Sequence, residues 1–179
     1  MKTQNIIIIF TLIFSSCLTT NDWFVLKSTD LGFEIEFPNE PKFTQQTSMT
    51  EYGKQDFNIY VLESDNLTSS NLNYFAAKTI YPDSLIDRYK NNIDEFFNSS
   101  IQNSIESVQG KKIHDKVIYY LDYPGREVKI DFKNGEAVIT MRIYLVDNAV
   151  YLLQTITYPE KDYNKSQTKF FNSFKLLDE

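Results

Sequence analysis

Apolar and polar residues alternate with a period of two in several segments of this 179-residue chain, and this pattern restricts its fold more than any other feature. Phe33, Ile35 and Phe37, for example, alternate with two glutamates. Because successive side chains of a β-strand point to opposite faces, such alternation is typical of a strand with one face buried. The sequence therefore predicts a protein built mainly of half-buried strands.

Turn signals divide this pattern into separate strands. Tyr52-Gly53-Lys54 and Asp147-Asn148 each predict a turn, and Asn134-Gly135 predicts a type I′ hairpin turn because it supplies the positive φ angles that this turn needs. Residues 150–158 are largely apolar on both faces, which indicates a central strand. We expect strands over residues 22–27, 33–37, 43–51, 55–63 and 72–80, and a second sheet segment over 111–158.

Two segments depart from the alternation and show a helical period. Residues 84–100 follow a helix start signal and carry apolar side chains within about 120° of arc. The order of strands, helix, strands and helix predicts an α+β fold in a single domain, with an antiparallel β-sheet flanked by helices. The second predicted helix, over residues 161–176, carries an aromatic stripe of Tyr163, Phe170, Phe171 and Phe174.

The first residues resemble the export signal of a bacterial lipoprotein. Lys2 supplies a positive charge, residues 6–14 form a short apolar run, and Ser15-Ser16 places small residues before Cys17. A permanent membrane span needs about 20 apolar residues, so this run is too short to be one. Leu is usual three positions before such a cysteine, and Phe14 occupies that position here.

Cys17 is the only cysteine of the chain, so it cannot close an internal disulfide. Acylation with palmitate-type chains gives this thiol a role, and several chains anchor a protein stably. We expect residues 1–16 to be a cleaved signal peptide, residues 17–22 a lipidated tether and residues 23–179 a folded α+β domain. The alternative is an ordinary secretory signal with a free cysteine nearby.

Charge and composition argue against several classes of function. The formal net charge is −6, and the predicted signal peptide holds only Lys2, so the mature chain is more negative still. This argues against binding to nucleic acid. The single histidine and the absence of EF-hand, phosphate-loop and Gly-x-Ser-x-Gly motifs predict no metal, no cofactor and no enzymatic activity. A hydrolase using His114 is the enzymatic alternative.

Arg126 is the most informative polar residue of the predicted domain. It follows Pro124-Gly125, and Tyr119, Tyr120 and Tyr123 precede it. Its guanidinium can clamp a ligand carboxylate, and tyrosine rings can stack on a sugar or a peptide. These four residues form the predicted ligand or partner site. The alternatives are a structural ion pair for Arg126 and ordinary sheet packing for the tyrosines.

Three short motifs occur together in the predicted domain. They are Gly32-Phe33-Glu34-Ile35-Glu36-Phe37-Pro38 with Pro41, Pro124-Gly125-Arg126-Glu127, and Phe170-Phe171-Asn172-Ser173-Phe174-Lys175. As a set they resemble small envelope lipoproteins of the PsbP-like and DcrB-like superfamily, so residues 23–179 are expected to form a PsbP-like domain. The resemblance implies an α/β/α sandwich around an antiparallel sheet, but it implies no activity and no catalytic residues, because one fold hosts many functions.

Together these patterns predict a non-enzymatic protein, lipid-anchored in the bacterial cell envelope at the periplasmic face or the outer membrane. It would act as a binding or assembly module. Its expected partners are the membrane, through the N-terminal lipid, and another envelope protein. The alternative is a carrier or sensor of a small ligand, held in a pocket between the helices and the sheet near Arg126.

Overall fold

The computed structural model describes residues 22–50, 53–64 and 69–177, so Cys17 and the predicted signal peptide lie outside the described residues. These ranges contain ten strands, three α-helices and one 3-10 turn, Pro159–Lys161. The helices are α1 (Asp83–Tyr89), α2 (Ile93–Ser107) and α3 (Lys165–Asn172). The strands are β1 (Phe24–Ser28), β2 (Phe33–Phe37), β3 (Lys42–Thr50), β4 (Gly53–Glu63), β5 (Asn73–Ile80), β6 (Lys111–Tyr120), β7 (Tyr123–Phe132), β8 (Ala137–Val146), β9 (Ala149–Thr157) and β10 (Lys175–Leu176).

Seven strands form one antiparallel sheet in the order β3-β4-β5-β9-β8-β7-β6. Strand β9 is the middle strand, which confirms the central position expected for residues 150–158. The other three strands form a small antiparallel sheet in the order β1-β2-β10. The α+β, antiparallel, single-domain fold expected from the sequence is thus confirmed.

One face of the large sheet carries an aromatic layer. The small sheet and helix α3 cover this face, and their inward side chains pack on Tyr74, Tyr144 and Tyr151 of the large sheet. Neighbouring rings meet mostly edge to face or tilted, which is the geometry that aromatic pairs prefer. The rings that the small sheet and the C-terminal segment contribute are Phe33, Phe37, Phe170, Phe171 and Phe174.

Helices α1 and α2 cover the opposite face with mainly aliphatic contacts. Phe97 and Ile101 of α2 lie against Val128, Ile130 and other apolar side chains of β7 and β8. The large sheet is therefore buried on both faces over its central strands. The two helical layers cannot touch each other, since the sheet lies between them.

The prediction of one helix over residues 84–100 is wrong in its limits. The helix is divided into α1 and α2 by Lys90, Asn91 and Asn92, and α2 continues to Ser107. Asparagine favours helix ends because its side chain competes with the backbone for hydrogen bonds. The second half continues because Ile101 lies four residues after Phe97 and shares its buried face.

The helix expected over residues 161–176 is also shorter in the structure. Asp162 is extended and Tyr163 has a φ of 61°, so α3 begins only after Asn164, whose side chain caps it by accepting a hydrogen bond from the Gln167 amide at 2.8 Å. Tyr163 is exposed and does not belong to the aromatic layer. The last residues of the segment form β10 instead, which pairs with β2.

The turn at Asn134-Gly135 is a four-residue loop rather than the expected two-residue type I′ turn, because Phe132 pairs with Ala137. The Asp131 carboxylate closes this loop by accepting a hydrogen bond from the Gly135 amide at 2.7 Å. The turn expected at Asp147-Asn148 is confirmed by the pairing of the residues that flank it.

A substitution at Phe170 tests the aromatic layer, because this side chain is fully buried. The centroid of its ring lies 5.2 Å from that of Phe37 and 5.3 Å from that of Tyr74. We expect Phe170→Ala to lower the free energy of unfolding by about 3–5 kcal/mol, measured by urea denaturation of the whole chain. Phe43→Ala removes the same atoms from a side chain that is 54% exposed, so it should cost less than about 1 kcal/mol. Equal losses in the two variants would contradict the assignment of this layer as the core.

Candidate functional site

Arg126, the centre of the predicted binding site, lies on β7 and faces helix α2. Its Nε and Nη2 donate to the two carboxylate oxygens of Asp115 on β6, at 2.9 and 3.2 Å. Its Nη1 donates to Asp94 at 3.0 Å, and Nη2 also donates to Asn98 at 3.2 Å. All three guanidinium nitrogens are therefore occupied by groups of this chain.

These contacts fasten helix α2 to the edge of the large sheet. Burial raises the pKa of the Asp115 carboxyl, but the hydrogen bonds and charges of Arg126 and Lys112 outweigh it, and the pKa lies below its ordinary value of 3.8. The Asp115 carboxylate in turn raises the pKa of Arg126. Arg126 thus has the geometry of the structural ion pair that the sequence left open as an alternative.

The sheet separates the tyrosines of the predicted site. Tyr119 lies on the α2 side with Arg126 and is 67% exposed. Tyr120 and Tyr123 are paired across the β6–β7 hairpin on the opposite side. There, the Tyr120 ring packs against Phe174, and its hydroxyl accepts a hydrogen bond from the Leu176 amide at 3.2 Å. The structure does not bring the four residues together, and their binding role stays a prediction.

His114, the residue of the enzymatic alternative, lies at an irregularity in the pairing of β6 with β7. Its Nε2 is 3.8 Å from Glu127 Oε1, while Glu127 Oε2 accepts a hydrogen bond from Arg142 at 2.8 Å. Within the described ranges, no group of three or more histidine, cysteine, aspartate or glutamate side chains is arranged to hold a metal ion. In the same ranges, no helix is both long and apolar enough to cross a bilayer.

A cleft of about 850 Å³ opens at the other end of the molecule, where β1 begins, β4 ends and β5 begins. The start of helix α3 closes one side of it. Several hydroxyl groups and three charged side chains line it together with a single indole ring. The lining residues are Trp23, Pro38, Asn39, Glu40, Lys42, Val61, Leu62, Glu63, Ser64, Ser69, Ser70, Tyr74 and Ser166.

A hydrogen-bond network between distant parts of the chain reaches the cleft through Tyr74. Asn71 and Asn164, 93 positions apart, exchange side-chain amide hydrogen bonds at 2.8 and 3.2 Å. Asn71 also donates to the Tyr74 hydroxyl at 2.7 Å. Burial raises the pKa of Tyr74 above its ordinary value of 10.0, although hydrogen bonds with Asn71 and Ser166 lower it. Tyr74 is therefore a neutral hydroxyl at physiological pH.

Trp23 forms the wall of the cleft nearest the N-terminus. Its ring lies edge to face with Tyr74, at a centroid distance of 6.0 Å and an angle of 83°. The Lys169 ammonium sits 4.6 Å from the Trp23 ring centroid and 3.0 Å from a carboxylate oxygen of Glu36. Trp23 is thus held between a buried tyrosine and a cation, so its position is set by the fold.

The charged groups of the cleft indicate which ligands it suits. Glu40 and Glu63 outnumber Lys42, and no arginine or histidine lines the cleft among the residues described. Such a surface disfavours phosphate and other anions. The hydroxyls, carboxylates and indole ring suit a partner that offers hydrogen-bond donors and some apolar surface, such as a peptide segment or a polyhydroxyl group.

Sequence reasoning missed this cleft. It assigned Trp23 only to a first strand, and the one available signal was that the only tryptophan of the chain follows the predicted tether. Asn71 and Asn164 belong to unrelated segments, and nothing in their spacing predicts that they meet.

Comparisons with known proteins support the fold and nothing finer. No family model and no curated protein matches the chain. The solution structure of cyanobacterial PsbP (CyanoP) from Synechocystis sp. PCC 6803 covers 89% of this chain and 95% of its own, with a TM-score of 0.56 and 12% identity. The chain therefore has a PsbP-like fold. The crystal structure of PA94, a protein of unknown function from Pseudomonas aeruginosa, covers 78% of this chain and 85% of its own, with a TM-score of 0.37 and 10% identity, and no argument rests on it.

Arg126→Ala tests the structural role of the ion pairs. The change leaves the half-buried Asp115 carboxylate without its main partner, so we expect the free energy of unfolding at pH 7 to fall by about 1–3 kcal/mol in urea denaturation. The pKa of Asp115 is lower in the folded chain than its ordinary value of 3.8, which it has in the unfolded chain. The ion pair therefore stabilises the fold fully at pH values above 3.8, and this stabilisation is lost as the pH falls through the pKa of the folded chain.

The difference in unfolding free energy between the unaltered chain and Arg126→Ala should therefore become smaller below about pH 4. Lys116→Ala, which removes an exposed cation from the same strand as Asp115, serves as the control and should change stability by less than about 0.5 kcal/mol. An Arg126→Ala protein as stable as the unaltered chain at pH 7 would show that the guanidinium is available for a ligand.

Proposed function

We propose that this chain is a non-enzymatic binding or assembly module that a lipid on Cys17 holds at the bacterial cell envelope. The observation that carries the proposal is the position of Trp23. It is the sixth residue after Cys17, and it forms a wall of the cleft. The chain thus enters the fold beside this cleft.

The short connection limits how far this cleft can lie from the membrane. Six residues span at most about 20 Å when fully extended. A lipid on Cys17 would therefore keep the cleft close to the headgroups and within reach of other envelope proteins. The PsbP-like fold is compatible with such a binding role.

A second candidate function is a small-ligand carrier or sensor, and the size of the cleft favours it. Its volume of about 850 Å³ falls within the range of known small-molecule sites. The fixed Trp23 ring offers one stacking surface, and Ser64, Ser69 and Ser70 offer hydroxyl groups. This site differs from the pocket first expected near Arg126.

Cys17→Ser tests the lipid anchor. Because acylation needs the thiol, we expect the variant to lose the mass of the acyl chains, to keep its signal peptide or be released, and to leave the carbonate-washed membrane fraction. Mass spectrometry and fractionation of the full chain measure both effects. Thr20→Ser, a matched change in the predicted tether, should behave like the unaltered protein. Unchanged processing and membrane association of the Cys17→Ser protein would refute the anchor.

Trp23→Ala tests the cleft as a partner site. We expect affinity purification of the full chain from solubilised envelope to recover a stoichiometric protein, and Trp23→Ala to lower that recovery about 10-fold or more, as for aromatic anchors at the centre of an interface. Tyr163→Ala, which removes another aromatic ring away from the cleft, is the control. Thermal unfolding verifies that both variants fold.

The same purification separates the two candidate functions. A small molecule released on denaturation, found with the unaltered chain and lost with Trp23→Ala, would favour the carrier over the assembly module. Full recovery of the protein partner with Trp23→Ala would contradict the cleft as its binding site.

A further inference from the structure

The cleft at Trp23 contains carboxylates that have no cation of this chain bound to them. Glu40 and Glu63 both line it and are exposed, and neither side chain has a hydrogen-bond or ion-pair partner within the ranges that the structure describes. The glutamates of β2 differ, because Glu36 and Glu34 lie 3.0 and 3.5 Å from lysine ammonium groups. The two carboxylates of the cleft are therefore available to a ligand.

The strand register brings these two carboxylates together. Strands β3 and β4 are paired as far as Lys42 and Val61, and the same register continued by two positions places Glu40 opposite Glu63. Pro41 restricts the residue before it to extended backbone, so Glu40 can continue the direction of β3. Like charges directly opposite each other destabilise a strand pair. A positive group bound between the two carboxylates would remove this repulsion.

The next residue in this cross-strand row adds an acceptor without a donor. Asn73 of β5 is paired with Glu63, so the two side chains point to the same face of the sheet. The side-chain oxygen of Asn73 is buried and has no hydrogen-bond partner in the described part of the chain. Most buried polar atoms of proteins have one, because an unmet acceptor is costly. Glu40, Glu63 and Asn73 thus form a row of acceptors for which the described residues supply no donor.

We propose that this cleft receives a lysine or arginine side chain from a peptide segment of another envelope protein. An ammonium group carries three N–H donors and a guanidinium group five, and each brings a positive charge to the glutamates. The aliphatic stem of either side chain can lie on the apolar part of the lining, which includes Trp23, Val61 and Leu62. The inference rests on the proposed function of the cleft as a partner site, and it names the chemistry of that partner.

The rest of the lining favours a peptide over a free amine. Ser64, Ser69 and Ser70 carry hydroxyl groups that can bind the backbone amides and carbonyls on either side of the basic residue. The volume of about 850 Å³ is in the range of drug-sized ligands and so exceeds the need of one side chain. The formal net charge of −6 also attracts a basic partner.

The fluorescence of Trp23 can test the ligand class directly, because it is the only tryptophan of the chain. The purified full chain is titrated with the capped peptide Ala-Ala-Lys-Ala-Ala and with its Ala-Ala-Gln-Ala-Ala counterpart. We expect the lysine peptide to bind about 10-fold or more tightly than the glutamine peptide, since its hydrogen bonds to carboxylates are charge-assisted. Equal affinities would overturn the proposal. Butylamine, which is the lysine stem without a backbone, should bind more weakly than the lysine peptide, and equal binding would overturn the peptide as the occupant.

Substitutions in the cleft locate the charge that binds the peptide. Glu40→Gln and Glu63→Gln keep the size of the side chain and should each weaken binding of the lysine peptide about five-fold or more. Lys42→Gln removes a repelling cation from the lining and should strengthen it. Glu136→Gln, an exposed carboxylate in the β7–β8 loop, is the matched control and should leave it unchanged. Unchanged affinity in both cleft variants, with circular dichroism showing folded chains, would refute the site.

The same variants separate this inference from the proposed function. If affinity purification recovers an envelope protein whose yield is the same with Glu40→Gln and Glu63→Gln, the basic peptide is refuted and the binding module stands. If the lysine peptide binds as expected but no protein is recovered from the envelope, the ligand class stands and the assembly module is refuted.

Discussion

Coverage of the central strand β9 on both faces, complete on the aromatic side and partial under the helices, is the constraint on which the rest of the fold depends. Tyr151 and Leu153 point into the aromatic layer, whereas Leu152 and Ile156 point into the aliphatic layer under α1 and α2. A strand that is apolar on both sides can be buried only if both faces of its sheet are covered. The chain meets this requirement with helices from its middle on one side and with both of its ends on the other.

The buried and half-buried polar groups attach these covering layers at defined places. Arg126 and Asp115 hold α2 to the sheet edge, and Lys129 on β7 contacts both carboxylate oxygens of Asp162 at 2.7 Å in the segment before α3. The hydrogen bonds between Asn71 and Asn164 likewise attach the start of α3 to the segment before β5. Because these groups bind one another, they hold the covering layers in place and are occupied within the chain.

The sequence by itself determined the local pattern of secondary structure. Alternation predicted the strands, the two apolar faces of residues 150–158 predicted the centre of the sheet, and the run before Cys17 predicted an envelope location that stays a prediction. Helix limits were less accurate, because the breaks at Asn91-Asn92 and Tyr163 depend on capping and on the layer beneath.

Only the tertiary structure decided which side chains share a face or a cleft. Tyr119 and Tyr120 must point apart in a strand, but which of them accompanies Arg126 depends on the register across the β6–β7 hairpin. The Trp23 cleft joins segments that are far apart in the chain. Periodicity reports the environment of neighbouring residues, whereas contacts between distant residues are set by strand pairing and layer packing, which no short stretch of sequence contains.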